Sequence, residues 1–132
     1  MTSDVIRPVA PGQWAVEARS VKVAEAWQQW ATSEPAALQR VYDQLQADPL
    51  ARSSRQVPLA GPLGTGTFDG VSLPRWQFEV TAGGRLLYLV DDAPFGQGKK
   101  RRAGRVIIDV VSAGHPKETE QKQAGKRRPG RR

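Results

Sequence analysis

Between Ser20 and Asp48 the chain carries two helical stripes with almost nothing separating them. Val23, Trp27 and Trp30 recur at i, i+4, i+7 behind Ser20, an expected N-cap. Leu38, Val41, Tyr42 and Leu45 recur at i, i+3, i+4, i+7 behind Ser33 and Pro35, and the pattern stops at Asp48-Pro49. Ser33 is read as the cap of this second helix. Helices joined by so short a link must fold back antiparallel, and their apolar stripes then need a surface to cover them. The tryptophans are read as core, because large apolar groups at helical spacing are first a packing signal.

The rest of the chain supplies that surface as strands. Trp14-Ala15-Val16-Glu17-Ala18 alternates well enough for a short one. Arg75-Trp76-Gln77-Phe78-Glu79-Val80 alternates clearly, with Trp76, Phe78 and Val80 on one face and Arg75, Gln77 and Glu79 on the other. Thr81-Ala82-Gly83-Gly84 predicts a turn, and Arg85 to Val90 returns as a strand apolar on both faces, hence central. Arg105 to Ser112 is a further strand. From Leu50 to Pro74 the chain is rich in Gly, Pro, Ser and Thr, and Pro58 and Pro62 confine any strand around Val57, Leu59 and Leu63 to an edge or a bend. The expectation is an α+β fold, an N-terminal strand and helical hairpin packed on a twisted antiparallel sheet of about four strands. Residues 14–120 form that domain, 1–13 a flexible arm, and 121–132 a basic disordered tail without apolar content to fold with.

Charge is distributed very unevenly. Residues 1–96 hold 8 Lys and Arg against 10 acids, net −2; the last 36 hold 12 against 3, net +9. A cationic excess confined to one third of a chain is the footprint of a polyanion partner, most often nucleic acid. Lys99-Lys100-Arg101-Arg102 sits in a loop between two strands, where it can grip a phosphate backbone at less cost in chain entropy than a free tail. Arg75, Arg105, Lys126, Arg127 and Arg128 are further candidate RNA contacts. With no cysteine and one histidine, neither a disulfide nor a zinc cluster is expected, and no metal or other cofactor is assigned. The sequence has no apolar run of membrane-spanning length and no secretory leader pattern, so a cytoplasmic location is expected.

The single histidine, His115, follows the apolar run Val106 to Val111 in Gly114-His115-Pro116-Lys117. Its ordinary titration range suits proton transfer near neutrality. Taken in order, Pro58-Leu59-Ala60-Gly61, Arg75 to Val80, Gly84-Arg85-Leu86-Leu87-Tyr88-Leu89-Val90-Asp91-Asp92 and Gly114-His115-Pro116-Lys117 resemble the RelE/ParE toxin superfamily of bacterial toxin-antitoxin systems. The resemblance spans about residues 14 to 122. It implies a toxin neutralised by a cognate antitoxin protein. In the RelE branch it implies a metal-free endoribonuclease that cuts messenger RNA, commonly on the ribosome. A ParE-like gyrase inhibitor and a non-enzymatic nucleic-acid binder on the same scaffold are the alternatives.

RelE-like cleavage needs a base for the ribose 2'-hydroxyl, an acid for the leaving 5'-oxygen and cations around the crowded phosphorus. Arg85 matches the family's strand arginine, whose planar fork would hold the scissile phosphate. By the same resemblance His115 is assigned acid/base work, and Lys117 a second phosphate contact. Glu79 is a base or an orienter of Arg85; the bland reading of the same two residues is an ion pair across the hairpin. Ala60, Gln77 and Glu79 stand where relatives carry lysines, and no aromatic residue follows His115.

Overall fold

The computed structural model describes residues 12–113. The elements run β1 (Trp14–Ala18), α1 (Val21–Ser33), α2 (Pro35–Ala47), β2 (Gln56–Pro58), β3 (Thr65–Phe68), β4 (Val71–Glu79), β5 (Arg85–Asp91) and β6 (Gly104–Ser112), with short 3-10 turns at Gly61–Gly64 and Gly98–Lys100. Strand, helical hairpin, then sheet is the expected order. Ser20 caps α1, its hydroxyl accepting from the Val23 amide at 3.2 Å. Ser33 does not cap α2: it ends α1 and donates back to the Trp30 carbonyl at 3.1 Å, while Glu34 occupies the cap position without a side-chain bond. Pro35 at the first turn costs no helical hydrogen bond, which lets α2 restart one residue after α1 stops.

The strands lie in the order β1-β6-β5-β4-β2, with β3 paired to β4 off this path. The sheet is larger than the four strands expected, and mixed, because β1 runs parallel to β6 from Trp14↔Gly104 to Ala18↔Ile108. The helical hairpin carries the chain from β1 at one edge of the sheet to β2 at the other, and the return through β4 and β5 leaves β6 beside β1. The central position of β5 holds, between β4 and β6. No hairpin is expected in 50–74 from its Gly and Pro content, yet β3 and the start of β4 form one around Asp69 (φ 52°) and Gly70 (φ 77°). Two successive left-handed residues close a two-residue turn, and Asp-Gly is a favoured pair for it. Pro74 falls inside β4, at the last residue paired with β3 and just before β5 takes over at Arg75.

The core lies between the helices and one face of the sheet. Trp30, Leu38, Val41 and Leu45 meet Trp76, Val80, Leu86, Tyr88, Val90, Val106 and Ile108, with Trp14, Val16, Trp27, Phe78 and Val111 partly buried against them. Trp76 and Tyr88 stack, centroids 6.3 Å apart. Tyr88 also carries a polar network that joins three elements. Its hydroxyl donates to the Pro49 carbonyl at 2.7 Å and accepts from buried Gln56 at 3.0 Å, and Gln56 is held in turn by Gln44 at 3.2 Å. Burial pushes the Tyr88 hydroxyl well above the usual tyrosine range, the Gln56 bond opposing and Asp48 adding to the rise. No helix among the described residues is long and apolar enough to cross a membrane.

Candidate functional site

Strand alternation decides what the opposite face of the sheet presents. With Trp76, Leu86, Tyr88, Val106 and Ile108 turned to the helices, the intervening residues form cross-strand rows on the other side. One row is Glu79–Arg85–Ser112 and the next Gln77–Leu87–Val110, followed by Arg75–Leu89–Ile107. A register irregularity between Leu87 and Tyr88 leaves Asp109 as the extra residue on β6.

The third row is covered. Phe68 of β3 packs on Leu73, Leu89 and Ile107, and Asp109 bridges two arginines beside them. Arg75 reaches Asp109 Oδ2 through Nε and Nη2, each at 3.0 Å, and its Nη1 donates to the carbonyls of Leu63 (3.2 Å) and Thr65 (3.0 Å). Arg19 pairs with the other Asp109 oxygen, donates to the Thr67 carbonyl and lies over the Phe68 ring. A nearly buried carboxylate thus holds two guanidiniums, which in turn hold the backbone of β3 against the sheet. Arg75, expected among the RNA contacts, is spent on this latch.

The first two rows stay open. Arg85 is exposed, Glu79 half-buried, and Val110 is 42% exposed. Glu79 and Arg85 are direct register partners, which brings their Cβ atoms to about 5 Å. No ion pair joins them, so the alternative reading of a bridge across the hairpin is not what occupies these side chains. Both keep the capacity to engage a ligand. Glu79 also borders a groove of about 760 Å³ between α2 and the edge formed by β2 and β4. Arg40, Gln44 and Arg55 line it, and Arg55 Nη1 donates to the carbonyls of Glu79 (3.4 Å) and Val80 (3.5 Å).

The basic loop stands elsewhere. It leaves the far end of β5, six strand residues from Arg85, a separation of about 20 Å. Phe95 and Arg102 exchange backbone bonds of 3.1 and 2.8 Å, and Arg102 Nη1 reaches the carbonyls of Lys99 (3.4 Å) and Arg101 (3.1 Å). Arg105 lies over the Phe95 ring, 4.9 Å from its centroid. Gly12 and Gln13, assigned to the arm by sequence, are tied to this loop through Arg101 and Ala103. Lys99, Lys100 and Arg101 are exposed on this frame.

Of the expected catalytic residues, Glu79 and Arg85 come together on one row, while His115 and Lys117 lie outside the described residues. So do Lys126, Arg127 and Arg128. Arg19 and Asp109 are functional partners that the sequence pattern does not single out. A single acid inside the run Val106 to Val111 was the available signal, because a carboxylate on an apolar strand requires a cationic partner.

No family model matches the chain, and no curated protein does. Among solved structures it is similar to a YoeB/ParE toxin from Agrobacterium tumefaciens, with a TM-score of 0.48 and 16% sequence identity over 76% of this chain and 99% of that one.

Proposed function

We propose that this chain is the toxin of a toxin-antitoxin pair and acts as a RelE-type ribonuclease at the open end of its sheet. The observation that carries the reading is the row Glu79–Arg85–Ser112, a carboxylate and a guanidinium side by side without an internal partner, where β6 ends. In the reaction the ribose 2'-oxygen attacks the adjacent phosphorus, and its proton passes to the Glu79 carboxylate. The bond from phosphorus to the 5'-oxygen breaks, and that oxygen takes a proton from an acid. His115 is our candidate for it, from the sequence alone, three residues after Ser112. The products are a 2',3'-cyclic phosphate and a 5'-hydroxyl. Arg85 holds the non-bridging oxygens and offsets their growing charge, the kind of preorganised contact whose loss costs about 100-fold or more in rate.

The substrate in this reading is messenger RNA on the ribosome, and an antitoxin protein is the partner that silences the toxin. The test is brief induction in bacteria with transcripts mapped by their 5'-ends, for the native chain and for Arg85→Ala and His115→Ala. Growth arrest with new transcript ends, both lost in the variants, is expected. Growth arrest with intact transcripts and a DNA-damage response would move the chain to the gyrase-directed alternative.

A further inference from the structure

We infer that Lys99, Lys100 and Arg101 form a second nucleic-acid contact, a clamp on backbone phosphates separate from the Glu79–Arg85 row. Three features carry this. First, the cations are exposed, and among the described residues none of the three is held by an acid. Second, they stand on a braced frame: the 3-10 turn Gly98–Lys100, the reciprocal Phe95–Arg102 bonds, left-handed Gly96 and Gly98, and the ties to Gly12 and Gln13. Braced cations lose little freedom on binding, whereas solvated lysines on a free loop lose much. Third, the loop offers no flat ring for a base, since Phe95, its one aromatic residue, already carries the Arg105 guanidinium. Charge without a stacking platform fits the sugar-phosphate backbone and leaves base identity unread.

The loop departs from the end of β5 opposite Arg85, about 20 Å along the strand, so this contact anchors nucleic acid away from the reacting phosphate. It contributes to affinity and not to the chemical step. The inference rests on the nucleic-acid reading of the function, but its test does not require cleavage.

The full-length Arg85→Ala protein serves as background, so that substrate stays intact. Binding to a labelled RNA hairpin and to an unstructured single strand is followed by fluorescence anisotropy between 50 and 200 mM salt. Neutralising Lys99→Gln, Lys100→Gln and Arg101→Gln together is expected to flatten the plot of log K against log salt by about 2 on the single strand, or by nearly 3 on the duplex. A control carrying Lys22→Gln and Arg52→Gln, compared per charge removed, neutralises exposed sites elsewhere. The inference is overturned if the loop variant keeps the native slope on both RNAs, or if the control flattens it equally. Circular dichroism and melting of each variant report folding. A slope flattened in the loop variant while the native chain cuts no transcripts would keep the clamp and remove the ribonuclease; transcript cleavage by the native chain with an unchanged slope in the loop variant would do the reverse.

Discussion

Arg75 holds Asp109 with two nitrogens, Nε and Nη2, each 3.0 Å from the same carboxylate oxygen, while Arg19 takes the other oxygen. The Asp109 side chain is 5% exposed, that of Arg75 16% and that of Arg19 33%. Removing the acid leaves two positive charges facing each other over a surface covered by β3. Breaking a buried pair from one side costs about 3–5 kcal/mol. Because Arg19 remains partly hydrated, Asp109→Asn is expected to cost less, about 2–3 kcal/mol. Urea unfolding with an unchanged slope should report it, and a cost below about 0.5 kcal/mol would remove the latch from the stability of the fold.

That latch also marks how far the sequence could be read. Local signals located β1, the Ser20 cap, both helices and the central β5, because each depends on periodicity or on a neighbour within a few residues. Two pairings were not legible. The parallel partnership of β1 with β6 joins segments about 90 residues apart, and nothing in either strand names the other. The β3–β4 hairpin was hidden by Gly66 and Pro74, which lower strand propensity, although Asp69-Gly70 marked its turn. The candidate site divides the same way. Alternation put Glu79 and Arg75 on one face, but only the placement of β3 determines that Arg75 is covered and Glu79 is open.

Tyr88 makes stability depend on alkaline pH. Its hydroxyl is buried and kept protonated by the fold, so its folded pKa lies above the unfolded value near 10. A raised folded value means that the folded state holds the proton longer. The contribution is therefore complete below pH 10 and is lost as pH rises beyond it. Unfolding midpoints in urea at pH 8 and pH 11 should show this loss in the native chain. Tyr88→Phe should lose less between the two, although it starts lower by about 1–2 kcal/mol for the bonds to Pro49 and from Gln56 that it gives up. Equal alkaline losses in the two proteins would contradict the assignment.

Gly96 controls the frame of the basic loop. Its φ is +81°, and a Cβ there would run into the Lys100 carbonyl. Gly96→Ala should strain the loop by about 1–3 kcal/mol without touching the core. The expected result is faster amide exchange at Phe95 and Arg102, whose backbones bond each other, with exchange at Leu86 and Val106 unchanged. Unchanged exchange at Phe95 and Arg102 would mean that the loop is not braced as described.

Glu79 and Arg85 should separate activity from stability. They face each other across the β4–β5 hairpin without an ion pair, and Arg85 is exposed. Residues so placed contribute little to the fold, so Arg85→Ala and Glu79→Gln are each expected within about 0.5 kcal/mol of the native stability. Transcript cleavage should nevertheless fall by about 100-fold or more in each, because in the proposed reaction both side chains act on the substrate. Arg85→Lys keeps the charge but not the fork that spans two phosphate oxygens, and should recover only part of the activity. A double-mutant cycle in urea completes the test. Coupling near zero between the two residues is expected, whereas a coupling of about 1 kcal/mol would show that they serve the fold as a pair and would remove the reason for reading them as a site.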